Sequence, residues 1–253
     1  MVKVNRIGYT VCFALATVFA FFVAEPVFAG GGNQLTLAVG LALAPYNIQE
    51  SDSGLELDIV REALGNEGYT INTKFVPFAR VKRELMGKKV DGALTLTPAC
   101  GIDAFYSDEH IVCENVVVTL EDRAFDIRTV DDLKDKRVVA FQDATRYLGD
   151  NYAHMAKENP DYKEVANQTL QINLLYSGRC DAIVLDKNIF RYQRKHNTRV
   201  DTTQPVHMWH IFGPSPFRVA FIDKRVRDDF NEGLKKLRNS GRYAEIVKKY
   251  LHE

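Results

Sequence analysis

Cysteine is scarce in this chain, four residues in 253, and none stands in a C-x-x-C pair or a Cys/His cluster with zinc spacing. A structural metal is therefore not expected. Excess charge of either sign is missing too, with 33 Lys+Arg against 33 Asp+Glu. That balance gives no electrostatic case for nucleic acid or for an anionic membrane surface as partner. There is no phosphate-cradling glycine loop, no Ser-His-Asp arrangement, no internal repeat, and no low-complexity segment after Gly30-Gly31-Gly32. These absences speak against an enzyme, and no cofactor is expected.

What is present begins with a leader. Lys3 and Arg6 stand without an acid, an apolar run covers Ile7 to Ala24, and Val27-Phe28-Ala29 precedes three glycines. Positive flank, apolar stretch and small-x-small site together describe a secretory signal peptide over residues 1–29. A retained membrane anchor is the alternative, since the run approaches the spanning length of about 18–20 residues. Pro26 and Ala29 favour processing, and Cys12 lies within the run without a lipoprotein context. The expected location is the periplasm. About 220 residues then remain, enough for one large domain or two of about 110.

The remaining text alternates strand and helix. Gln34–Gly40 reads as a strand, and Leu57, Ile59, Val60, Ala63 and Leu64 recur at helical spacing. Glu56 and Asp58 suit the positive end of that helix, a plainer role than catalysis. Tyr69–Phe75 is a strand, Ala79–Met86 a helix stopped by Gly87, and Val90–Leu96 a buried strand. After the turn at Thr97-Pro98 a short helical turn runs to Phe105-Tyr106-Ser107, followed by a β-branched strand. A second unit holds a capped turn at Thr129–Leu133, a strand at Arg137–Phe141 and a helix opening at Thr145. A helix at Gln168–Tyr176 and a buried strand at Asp181–Asp186 complete that unit. His207–Phe212 reads as a crossing back, Phe217–Phe221 as a return strand, and two amphipathic helices follow, Val226–Leu237 and Tyr243–Leu251. This order implies an α/β protein with mostly parallel sheets.

Lys88 to Val118, with Asp91, Thr95, Thr97 and the following Tyr106-Ser107, resembles the bacterial extracellular solute-binding proteins of family 3. Asp131-Asp132-Leu133 with Arg137-Val138 and Thr145, and Tyr243–Tyr250 near the end, are similar to the same family, so the resemblance covers nearly the whole processed chain. It implies a two-lobed, type II periplasmic-binding-protein-like fold. Lobe 1 would comprise residues 33–118 plus 213–253 and lobe 2 residues 119–212, closing like a hinge on a ligand. It also implies a small polar, amine-bearing, amino-acid-like ligand, an ABC importer as membrane partner, and a monomer in solution.

The candidate ligand-binding residues come from separate turns. Tyr46 and Phe78 offer aromatic walls, and Thr95 and Thr97 offer hydroxyls and nearby N–H groups. Thr145 sits at a helix start, which favours an anion. Asp186, at the end of an apolar strand, would take a ligand ammonium by the family's pattern. Cys100 stands where that family usually carries an arginine for the ligand carboxylate, so Arg80 or Arg146 is the candidate substitute, with Thr97 and Thr145 backbone groups. Cys100 and Cys113 flank the central turn, and an oxidising compartment permits their pairing; two free thiols is the alternative. Cys180 reads as a small core residue. Two further classes remain: a ligand-sensing component of a signalling system, and a cyclohexadienyl-dehydratase-like enzyme using Asp186, Asp143 or His110 as proton carriers.

Overall fold

The structure, a computed structural model, describes residues 1, 33–41 and 43–251. Met1 apart, the expected leader at 1–29 lies outside the described residues, among which no helix is long and apolar enough to cross a membrane. In chain order the first elements are β1 (Asn33–Gly40), α1 (Leu55–Gly65), β2 (Tyr69–Val76), α2 (Phe78–Met86), β3 (Gly92–Leu96), β4 (Phe105–Tyr106) and β5 (Ile111–Leu120). Then come β6 (Val138–Phe141), α3 (Ala144–Tyr147), α4 (Asp150–Glu158), β7 (Tyr162–Val165), α5 (Gln168–Tyr176), β8 (Ala182–Asp186) and α6 (Lys187–Lys195). The chain finishes with β9 (Val206–Trp209), β10 (Pro214–Phe221), α7 (Lys224–Asn239) and α8 (Arg242–Leu251).

The strands run β2-β1-β3-β10-β5-β8-β6-β7, with β4 on β10 and β9 on β5. β1 is parallel to β2 and β3, and β6 is parallel to β7 and β8. Central strands of parallel sheets are covered on both faces, which is why β3 and β8 are buried at every position. The two parallel groups meet through two antiparallel strands. Ile111–Glu114 of β5 pairs with Phe217–Pro214 of β10, and from Asn115 onward β5 pairs with β8 and β9 instead. The exchange of partner falls at Glu114/Asn115. Phe105-Tyr106 is a strand on β10, not the end of a helical turn, because its backbone finds Phe221 and Ala220. Val206–Trp209 is likewise a strand edge on β5, so the crossing back is confined to the residues just after it.

Helix α1 packs along α7 so closely that a Cβ at Gly233 would lie 1.9 Å from the Ala63 carbonyl oxygen. Its first turn holds Glu56, which is fully buried and does more than complement the helix dipole. Oε1 accepts from Thr95 N (2.8 Å) and His110 Nε2 (2.9 Å), and Oε2 accepts from Thr95 Oγ1 (2.6 Å) and Asn47 Nδ2 (2.7 Å). These bonds join the loop after β1, the core of β3 and the approach to β5. Thr95 takes φ +58° in the left-handed region, an outlier for a β-branched residue, and Glu56 holds both its N–H and its hydroxyl there. Asp58, by contrast, stays near the surface with Tyr250 (2.6 Å) and Lys249 (2.9 Å).

Replacing Glu56 by Gln turns one acceptor into a donor facing donors inside this network. Unfolding stability is expected to fall by about 3 kcal/mol. A denaturant midpoint unchanged from wild type would show that the network carries no stability.

Candidate functional site

A cavity of about 340 Å³ opens where the two strand groups face each other. The loop after β1 supplies Leu41, Leu43 and Tyr46, and the start of α2 supplies Phe78. Strand β3 contributes Thr95, the partner-exchange region of β5 contributes Cys113 and Asn115, and β10 contributes Ser215 and Phe217. From the other side come Phe141, Gln142, Tyr147, Asn167, Gln168 and Asp186. The site lies beyond the carboxyl ends of the parallel strands, where open α/β sheets bind ligands.

Tyr147, at the end of the short α3, is the aromatic centre. Its ring centroid lies 6.0 Å from Phe78, 6.4 Å from Phe141 and 6.4 Å from Phe217. Its hydroxyl is 4.0 Å from Cys100 Sγ, and burial pushes its ionisation well above the ordinary tyrosine value.

Asp186 closes β8 and caps α6. Oδ1 accepts from the backbone N–H of Asn188 (2.8 Å) and Ile189 (3.0 Å) and from the Tyr46 hydroxyl (3.2 Å). Oδ2 accepts from Glu114 N (2.9 Å). The apolar run before it ends here because the carboxylate supplies the N-cap that α6 needs. Burial raises the Asp186 carboxyl above the usual aspartate range, against the lowering effect of its N–H donors. Cys113 and Tyr46, packed beside it, are also raised well above their ordinary values, burial first in both, then the Asp186 carboxylate for Cys113 and the Cys113 thiol followed by Asp186 for Tyr46.

Of the residues singled out from sequence, Tyr46, Phe78, Thr95 and Asp186 line the cavity together. Arg80 does not: its side chain is 56% exposed and sits 3.7 Å from Glu84, the i+4 partner on α2. Arg146 is 75% exposed beside Asp143 at 3.8 Å. Thr97 and Cys100 stand just outside the wall, 3.8 Å apart between Oγ1 and Sγ. Cys100, Cys113 and Cys180 are three free thiols. Cys100 turns to Thr97 and Tyr147 while Cys113 faces Tyr46 and Asp186, so no Cys100–Cys113 bridge is formed. Thr145 is not an open anion site either. Its N–H donates to Glu164 Oε1 (3.0 Å), Asp143 N donates to Glu164 Oε2 (2.7 Å), and Tyr162 OH donates to Oε1 (2.8 Å).

Tyr147, Phe141, Phe217, Asn115 and Gln168 were not read as site residues. Phe141 ended a strand that was recognised, and the carboxyl end of a strand on this architecture is itself a site signal, whereas Phe217 stood at the start of the recognised return strand. Tyr147 and Gln168 carried no such mark. Among the described residues no group of three His, Cys, Asp or Glu is placed to hold a metal ion.

The chain is 23% identical over 232 residues to the arginine-binding extracellular protein ArtP of Bacillus subtilis strain 168, covering 87% of each. Among solved structures it superposes on an ABC uptake transporter substrate-binding protein of Streptococcus pneumoniae with bound histidine. The TM-score is 0.74 at 18% identity, over 88% of this chain and 94% of that one. An ancestral arginine-binding protein bound to arginine gives TM-score 0.72 at 21% identity, over 86% and 98%. The fold is the two-lobed type II arrangement of such binding proteins. Residues 35–253 match the family model, and the chain belongs to the bacterial extracellular solute-binding proteins, family 3.

Proposed function

We propose that this protein captures a small amine-bearing solute in the cavity between its two lobes and delivers it to an ABC importer, working as an exported monomer in the periplasm. The observation that carries this is Asp186, the one formally charged side chain in the cavity wall among the described residues. The carboxylate is 4% exposed, raised by burial, and has no cationic partner among its hydrogen bonds. A ligand ammonium would supply the missing charge through a charge-assisted bond to Oδ2, which accepts one N–H where Oδ1 accepts three donors. The hinge of this reading lies where β5 changes partner at Glu114/Asn115 and where the chain returns between Trp209 and Pro214. Residues on the β1 side of those points form one lobe and those on the β6 side the other.

Binding without turnover is the simpler use of these groups. His110 is 1% exposed and committed to Glu56, outside the cavity wall. Asp143 sits with Arg146 at the surface side of α3.

Two outcomes test the role of Asp186. Asp186→Asn keeps an oxygen for the α6 cap but turns an amide toward Glu114 N. Unfolding stability should fall by about 1–3 kcal/mol, while the fold by circular dichroism is kept. Amine binding measured by calorimetry on that folded variant should be lost, whereas Cys100→Ser should bind as wild type does. Wild-type affinity in Asp186→Asn would make Asp186 a cap and nothing else. The pH dependence has a definite sign. Because the folded carboxyl is raised, its ionised form is disfavoured without ligand. The stability it contributes is complete below the ordinary aspartate value and lost as pH rises through the folded one. A bound ammonium favours the ionised form, so the ligand-induced gain in melting temperature should grow as pH rises from 3.8 through the raised value. Asp186→Asn should abolish that growth, and a gain independent of pH in wild type would oppose the assignment.

A further inference from the structure

The places from which the fold might hold a ligand's acid group are engaged by the protein itself. At the start of α3 the N–H groups of Asp143 and Thr145 both donate to the Glu164 carboxylate, at 2.7 and 3.0 Å. Gln142, the residue before them, lines the cavity, so a ligand carboxylate directed there would meet a carboxylate already in place. Arg80 and Arg146 turn outward to Glu84 and Asp143. Lys82 donates its ammonium to the Cys100 carbonyl. Neither lysine nor arginine lines the cavity among the described residues. Cys100 brings no charge and stands outside the wall, its Sγ 4.0 Å from the Tyr147 hydroxyl.

What faces the cavity is of the opposite sense. Asp186 brings negative charge to the wall, and Gln168, 6% exposed, adds an uncharged amide to it. Phe78, Tyr147 and Phe217 surround the space with rings whose faces attract cations and bury apolar bodies. An acid group brought into this wall would be desolvated with no cation to receive it, beside carboxylates that repel it.

We propose that the cavity takes a small organic amine that carries no carboxylate, and that Glu164 is the residue that excludes amino acids by filling the α3 N–H pair. This deepens the amine-binding reading above and rests on it. Selectivity here is built by exclusion, with the protein's own acid acting as the repulsive element.

Matched pairs that differ only by the carboxylate test it: histamine and histidine, tyramine and tyrosine, agmatine and arginine, 2-phenylethylamine and phenylalanine. Each is titrated calorimetrically into the intact exported protein. In every pair that binds, the amine should be tighter than its amino acid by at least about tenfold. An amino acid that binds as tightly as its amine, or more tightly, overturns the inference and leaves solute binding standing. No binding in any pair overturns the amine reading and this inference with it. Glu164→Ala, checked for an unchanged unfolding midpoint, should shrink the preference severalfold by freeing Asp143 N and Thr145 N. An unchanged preference in that folded variant removes Glu164 from the discrimination; if it does not fold, Glu164→Gln, which keeps an acceptor but removes the charge, takes its place and should also shrink the preference, an unchanged one again removing Glu164.

Discussion

Glu56 accepts four hydrogen bonds in a place with no access to water, and the position of the cavity floor follows from them. A buried carboxylate is tolerable only when its lone pairs are filled, so the donors must arrive together. They arrive from Asn47 in the loop after β1, from Thr95 in β3 and from His110 ahead of β5. Thr95 is the sensitive member, because a β-branched residue does not stay at φ +58° unaided. Two of the four bonds hold it there, turning the strand end into the cavity. Helix α1 is in turn seated against α7 by the bare backbone at Gly233, so the anchor for the site is set by packing well away from it.

The same physical solution recurs twice more around the cleft, with different results. Glu164 is satisfied by two backbone N–H groups and a tyrosine hydroxyl, and Asp186 by three N–H groups and a tyrosine hydroxyl. All three carboxylates are stabilised by dipoles of the chain. Only Asp186 also lines the cavity, where its charge is open to a partner. Glu164 uses its bonding to close a helix start that would otherwise attract an anion.

Much of the architecture was legible because apolar residues recur at the period of the element they build. Strands β1, β3 and β8, helices α1 and α5, and the two last helices were read nearly to their ends. Strand β7 was not, since Tyr162-Lys163-Glu164-Val165 is four residues long with two charges and shows no apolar run. That omission hid the most consequential acid near the site, because nothing local pairs Glu164 with Thr145 nineteen residues earlier. Helix α4 was missed for a similar reason: its buried residues are only Tyr152, Met155 and Ala156, set among polar ones. Asp186 was read as a ligand contact from its place at a strand end, but its capping bonds to α6 and its bond from Tyr46, 140 residues away, were not. Cys100 was the converse case. Its position in the turn drew attention, yet the side chain lies outside the wall, 4.0 Å from the hydroxyl of Tyr147, which does line it.

That position of Tyr147 ties the two strand groups together at the cavity. Phe78 and Phe217 come from α2 and β10, Phe141 from β6, and the Tyr147 ring centroid lies 6.0–6.4 Å from all three. A ligand entering between the lobes must share or replace these ring contacts, so the apolar gain it collects is the difference between its own packing and that of tyrosine. A ligand with only polar groups loses that exchange, since neutral hydrogen bonds made in the cavity replace those made with water at little net gain. An ammonium attached to a ring or short alkyl body wins on both terms, placing the charge at Asp186 and the body on the aromatic faces. Adding a carboxylate to that same body gains no cation and must desolvate a second charge. The preference for an acid-free amine thus comes from the balance of the whole wall, with Glu164 supplying its most local part.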